Sequence, residues 1–268
     1  MERSEEEFKF RNEVTVVVTW YGQQDHLLNQ MIFYSQMAKK YNFLPTVIVI
    51  NDANEPERKF FRDTINTYRA NFNLIGVDVW PDNGFNSHTC RNLGVKLAPT
   101  DWVWLLDVDC FEQEGIYKEL RFNKELDTNM FYMPKADMEL PEDMAGYELL
   151  DPKGLLKQHA HPNSWIMTKE CFWSTGGYDI EYCGVRQGDA EFFLSIGRGD
   201  KKWDYDLLSW DDECRIIVKY PKRDPFYIRQ HAWKQNDARE LIDFVRVRNR
   251  DEYRKYRKQI HNLNWEYV

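Results

Sequence analysis

Two carboxylates stand one residue apart at Asp107 and Asp109, directly after the apolar run Trp102–Leu106. An apolar strand that finishes in a pair of acids is not built for stability. Alternate residues of an extended chain point to one side, so both carboxylates can aim at one point. Two like charges this close raise each other's pKa unless a cation sits between them. Hard oxygen ligands suit Mg²⁺ or Mn²⁺, and such ions are commonly shared with substrate phosphates. The same three letters also suit a solvated turn after a strand, where aspartate is simply common.

The segments that must position the pair favour the first reading. Val14–Trp20 is a β-branched run without polar alternation, as expected of a strand buried on both faces. An amphipathic helix is predicted from about Asp25 to Tyr41, with Leu28, Met31, Ile32 and Ser35 on its inner face. Pro45–Asn51 reads as a second buried strand ending at Asp52. Pro56 opens a helix lined by Phe61, Ile65 and Tyr68. Ile75–Trp80 is a third strand, followed by a turn at Pro81–Gly84. A helix over Ser87–Ala98 turns Cys90, Leu93 and Leu97 inward, and Trp102–Leu106 is the fourth strand. Strands alternating with helices over short connections imply βαβ units and a parallel sheet. Ligands bind such sheets outside the carboxyl ends of the strands. Trp20-Tyr21-Gly22, Asp52 and Asp107/Asp109 all follow strand ends, so three segments deliver polar or aromatic groups to one edge.

The second half is less regular. Asn129–Pro134 reads as a strand, Ala136 to Asn163 as a long loop, and Ser164–Thr168 as another strand. Lys169–Thr175 is a short helix closed by Gly176-Gly177, and Asp189–Ile196 has helical spacing. A helix is predicted from Ala238 to Ile260. It carries eight Lys/Arg, which suits either a solvated face or peripheral contact with an anionic membrane surface.

The 268 residues can bury a substantial core, and 43% hydrophobic with 30% charged residues fits a globular chain. A net charge of −8 argues against general nucleic-acid binding. Five cysteines without Cys-x-x-Cys spacing read as reduced thiols. The acidic N-terminus lacks an apolar signal region, and no run approaches the roughly 20 apolar residues of a membrane span. A cytoplasmic, soluble protein is expected.

The order of strand–Asp52, Arg91-Asn92-Leu93-Gly94, Asp107-Val108-Asp109, Gly176-Gly177-Tyr178-Asp179 and Gly188-Asp189 resembles the nucleotide-sugar glycosyltransferases of the GT-A fold. The resemblance is to the large family 2 group, with a galactosyltransferase-like C-terminal half. It covers roughly Val14 to Arg198. It implies an α/β, Rossmann-like, mostly parallel central sheet flanked by helices, with an irregular acceptor-side half and a C-terminal helix. One domain is expected, with a nucleotide-sugar half at 1–110, an acceptor and catalytic half at 111–235 and a helical tail at 236–268. The resemblance further implies a donor site from Trp20, Tyr21, Asp52, Arg91 and Asp107. Mn²⁺ or Mg²⁺ would sit on Asp107 and Asp109, with His231 completing the shell. Gly177, Tyr178, Asp179 and Glu191 would serve a carbohydrate or glycan acceptor. Asp189 would be the base of an inverting transfer from a nucleoside-diphosphate sugar, UDP-sugars favoured. Asp189 also fits a plain helix N-cap, and His231 a surface histidine.

Two other functions use the same sheet. A sugar-phosphate nucleotidyltransferase needs a Gly-rich basic loop after the first strand to hold a triphosphate. Trp20–Asp25 has one Gly and no Lys or Arg. A non-catalytic nucleotide- or carbohydrate-binding module would have no use for a base.

Overall fold

The computed structural model describes residues 12–80, 86–139, 163–180, 192, 195–196, 204–208, 215–219 and 264–268. Four β-branched or apolar runs form the centre of the sheet: β1 (Val14–Trp20), β2 (Thr46–Asn51), β3 (Asn73–Trp80) and β4 (Trp102–Asp107). They lie parallel in the order β3-β2-β1-β4, as βαβ connectivity demands. Beyond β4 the sheet turns antiparallel through β7 (Trp165–Thr168), which pairs with β6 (Met130–Glu139). β6 then carries β8 (Asp204–Leu208) along its first half and β9 (Arg215–Lys219) along its second. β5 (Cys110–Glu112) pairs with β9. The strand over 129–134 therefore runs five residues further than its sequence pattern shows. The remainder of that long loop, and the helices expected over 189–196 and 238–260, fall mostly or wholly outside the described residues. Phe192, Ser195 and Ile196 are in helical conformation.

Helices cover both faces of the sheet. On one side lie α1 (Gln24–Tyr41), α2 (Arg58–Tyr68) and α4 (Glu114–Lys118). Their Leu27, Met31, Tyr34, Phe61, Ile65, Ile116 and Tyr117 join Val14, Val16, Val18 and Trp20 of β1 in one buried cluster. On the other lie α3 (Ser87–Leu97) and α5 (Lys169–Ser174), whose Cys90, Leu93, Cys171 and Phe172 meet Val17, Val103 and Leu105. Strand alternation thus sorts odd and even positions of β1 and β4 to opposite layers. Each fully buried Val or Leu contributes about 1.5–3 kcal/mol.

The buried face of α1 is Leu27, Gln30, Met31, Tyr34, Met37 and Ala38, one residue off the expected Leu28–Met31–Ile32–Ser35 face. Ile32 is exposed. Two short elements lack a sequence signal. After α4 a single π-helical turn, Glu119–Asn123, puts Arg121 wholly inside, where it donates to Glu112 Oε1 at 2.5 Å and lies 4.0 Å over the Tyr117 ring. At the other edge, β10 (Asn264–Tyr267) pairs antiparallel with β3.

Among the described residues no helix is long and apolar enough to cross a membrane. Cys90, Cys110 and Cys171 are buried.

Candidate active site

Strand order reverses between β1 and β4, where the chain leaves β1 to one side for β2 and returns on the other as β4. Such a switch point opens a crevice at the carboxyl ends of the strands. The ladder aligns Thr19 with Asp107, Trp20 with Asn51, and Asn51 with Asp78, so these residues form a row across that edge.

Asp107 is the last residue of β4, and alternation with Val103 and Leu105 turns it toward α3. There Arg91, 2% exposed, forms an ion pair with it through Nη2 and Oδ1. Its other oxygen, Oδ2, accepts from Asn163 Nδ2 at 2.8 Å. The strand stops at Asp107, and Val108-Asp109 form a turn before β5. The expectation that both acids alternate along one strand is therefore corrected: Asp109 belongs to the turn. The two charges still feel each other. Burial, followed by the charge of Asp107, pushes the Asp109 carboxyl up to about 7.

Each letter of Arg91-Asn92-Leu93-Gly94 has a physical job. Arg91 neutralises Asp107. Asn92 donates Nδ2 to the Tyr178 carbonyl at 2.8 Å and accepts the Tyr178 N–H at 2.9 Å. Leu93 fills the core. Gly94 lets α3 lie against β1, since a Cβ there would stand 2.2 Å from Val17 Cγ1.

The Gly176-Gly177-Tyr178-Asp179 segment answers from the other side. Gly176 and Gly177 hold φ of 92° and 73°, a left-handed region that favours glycine. A Cβ on Gly177 would lie 2.9 Å from Asn92 Oδ1. Tyr178 is fully buried, its ring stacked on Phe192 at 4.4 Å and 9°, with Arg91 Cζ 5.1 Å from the ring centroid and His88 at 5.4 Å. Tyr178 thus backs Arg91, and Gly177 and Asp179, expected with it near the acceptor, flank it in the same segment.

The nucleotide-side residues divide in the same way. Trp20 alternates with Val14, Val16 and Val18, so its ring lies in the α1/α2 core, stacked on Phe61 at 5.4 Å. It is fully buried there. Tyr21, past the strand end, is half-buried. Asp52 is buried, and its oxygens accept the Asn86 N–H at 3.1 and 3.2 Å, at the start of α3. The turn carrying Asp52 is built by Asn51, which donates to Asp78 Oδ1 at 2.7 Å and accepts Asn54 N–H at 3.1 Å. Asp78 in turn takes Arg62 Nε at 2.7 Å.

Asp189, Glu191 and His231 lie outside the described residues.

A divalent cation would fit at Asp109: burial, followed by the charge of Asp107, disfavours its carboxylate, and a cation would offset both, while Asp107 is already paired with Arg91. Among the described residues no three His, Cys, Asp or Glu gather as a complete ligand set. Two carboxylates suffice for Mg²⁺ or Mn²⁺, which commonly keep waters and substrate phosphates in their remaining positions.

Asn163, Asn51, Asp78 and Gln30 were not found from the sequence. Gln30 Nε2 reaches the carbonyls of Asp107, Val108 and Cys110 from α1. Its only signal is a polar residue three after Leu27 on a buried face, and that face was read one residue off.

No family model matches the sequence, and no curated protein does. Among solved structures, the chain is similar to GalNAc-T7 with UDP, GalNAc and Mn²⁺, at TM-score 0.54 and 15% identity over 91% of this chain and 50% of that one. It is similar to the mannosyltransferase PcManGT from Pyrobaculum calidifontis in complex with GDP-Man and Mn²⁺, at TM-score 0.53 and 15% identity over 94% and 70%. TarS from S. aureus gives TM-score 0.53 and 15% identity over 78% and 60%. The fold is that of the GT-A glycosyltransferases. This chain spans half the length of the GalNAc-T7 structure. On the GT-A fold, the switch-point edge of β1 and β4 is the one that carries Asp107 and Asp109.

Proposed function

We propose that this chain is a metal-dependent glycosyltransferase that moves a sugar from a nucleoside-diphosphate donor to a hydroxyl acceptor with inversion. One observation carries the reading: two carboxylates, Asp107 ending β4 and Asp109 in the turn that follows, stand at the switch-point edge of a GT-A sheet. Structures of similar fold contain UDP, GDP-Man and Mn²⁺, which supports the choice of donor class and metal.

In this reading Tyr21 and Asp52 take the base and ribose, with Trp20 packed beneath them. Arg91 fixes Asp107 beside the ribose, leaving Asp109 as the main metal ligand with Asp107 sharing and His231 completing the set. Bound Mn²⁺ or Mg²⁺ supplies charge neutralisation for the diphosphate leaving group. Asp189 accepts the proton of the acceptor hydroxyl as that oxygen bonds to the anomeric carbon and the bond to the diphosphate oxygen breaks on the opposite face. Phe192, three residues after Asp189, is anchored on Tyr178 behind Arg91. Gly177, Tyr178 and Asp179 support the acceptor from below, with Glu191 beside the base.

The test is release of nucleotide from UDP- and GDP-sugars, with and without Mn²⁺, for wild type, Asp109→Asn and Asp189→Ala. Mn²⁺-dependent turnover with a UDP-sugar, lost in both variants, is expected. Metal-independent turnover would remove the central claim, and unchanged turnover in Asp189→Ala would remove the base.

A further inference from the structure

We infer that Gln30 is a positioning residue for the acid pair: its side-chain amide fixes the turn from Asp107 to Cys110 and thereby sets the affinity of the pair for a divalent cation. The cation part rests on the function proposed above; the fixing of the turn does not.

Gln30 lies mid-way along α1, 2% exposed, between Leu27 and Tyr34 on the face that packs on the sheet. Its Nε2 stands 3.2 Å from the Asp107 carbonyl, 3.0 Å from that of Val108 and 2.9 Å from that of Cys110. An amide nitrogen carries two protons, so three carbonyls share them. The chain leaves β4 after Asp107 and resumes strand pairing at Cys110, and a carbonyl buried in such a break must find a donor elsewhere. One side chain, about 80 residues away in sequence, donates to all three.

The residue type matters as much as the place. Met or Leu would fill the same volume and remove all three bonds. Lys would satisfy them but would add a buried charge beneath the acids, in competition with any metal. Glutamine donates without neutralising. Arg91 grips the Asp107 side chain from the α3 layer, while Gln30 grips the backbone of the same turn from the α1 layer. Both contacts fix the turn without placing a cation on Asp109 itself.

Gln30→Met, with Gln30→Asn as a milder variant that keeps the amide but shortens its reach, tests the assignment. Met37→Ala, two turns along the same buried face, is the control for general destabilisation. Amide exchange over Val108–Phe111 is read in metal-free protein, and Mn²⁺ affinity by electron paramagnetic resonance. Both Gln30 variants are expected to speed exchange in that segment at least tenfold while β1 keeps its protection. Mn²⁺ binding should weaken at least tenfold, and Met37→Ala should change neither. Unchanged exchange in both Gln30 variants overturns the assignment, as does equal loosening in Met37→Ala. Faster exchange with undiminished Mn²⁺ affinity overturns the link to the cation. Wild type that binds no Mn²⁺ overturns the metal reading and the link together, and the exchange measurement still decides the turn.

Discussion

Asn92 and the backbone of Tyr178, 86 residues apart, exchange two buried hydrogen bonds, of 2.8 and 2.9 Å. One amide side chain thereby completes a backbone ladder that no strand provides, and fastens α3 to the glycine turn after α5. Tyr178, so fixed, backs the guanidinium that holds Asp107. Two motifs far apart in the sequence form one bracket.

Asn92→Leu should strand a buried N–H and a buried C=O, each costing about 1–3 kcal/mol. Asn92→Asp keeps the acceptor for the Tyr178 N–H and loses the donor, so its cost should fall below that of the leucine variant. Equilibrium urea unfolding with an unchanged m-value checks the order.

Gly94 is the point of closest approach between α3 and β1. Gly94→Ala places a methyl 2.2 Å from Val17 Cγ1 and should destabilise by about 1–3 kcal/mol through overpacking, or more. Val17→Ala vacates that space, so the double variant should be more stable than the sum of the two singles. A double-mutant cycle that shows plain additivity would rule out this contact as the reason for the glycine.

Asp109 makes stability depend on pH in an unusual direction. Its folded-state pKa, about 7, lies above that of an unfolded aspartate. The folded protein therefore binds the extra proton, and this contribution to stability is present at low pH and is lost as pH rises toward and through 7. In metal-free protein, melting temperature attributable to this group should fall between pH 5 and 8, and Asp109→Asn should flatten the trend. Mn²⁺ must displace the same proton, so its affinity should rise with pH up to about 7. Thermal melts across pH, with and without Mn²⁺, read both effects.

Arg91→Met removes the buried partner of Asp107 and should cost about 3–5 kcal/mol, the usual penalty for a stranded buried charge. It also leaves the two acids facing each other with less positive charge nearby. Mn²⁺ should then raise the melting temperature of the variant by more than it raises that of wild type. An equal or smaller rise would show that Arg91 and the cation do not serve the same charges.

The first half of the fold was legible because burial on both faces leaves uninterrupted apolar runs. β1 matches its predicted span, and β4 differs only by including Asp107. α1 was readable as a helix but not as a face, since Leu27-Leu28 and Met31-Ile32 offer two adjacent stripes of equal apolar content. Packing chooses Leu27, Met31 and Tyr34. That choice hid Gln30. The pairing of Glu112 with Arg121 also escaped notice, because charged residues nine apart carry no sign of burial until the π-helical turn brings them together. β10 was missed for the opposite reason. Its four residues are exposed and are held by backbone bonds and by the Glu266–Arg62 pair, neither of which leaves an apolar pattern. At the candidate site, residue types were legible but exposure was not: the Trp20 and Tyr178 rings are fully buried.

The turn after β4 is pinned through the thickness of the sheet, its backbone to one helical layer and its first carboxylate to the other. It acts as a rivet between plates. Any slip of one layer past the other must shear the geometry of the two acids, and anything that locks the acids must resist that slip. The rigidity of the protein as a whole and the occupancy of one small turn are thus the same mechanical variable, readable from either end.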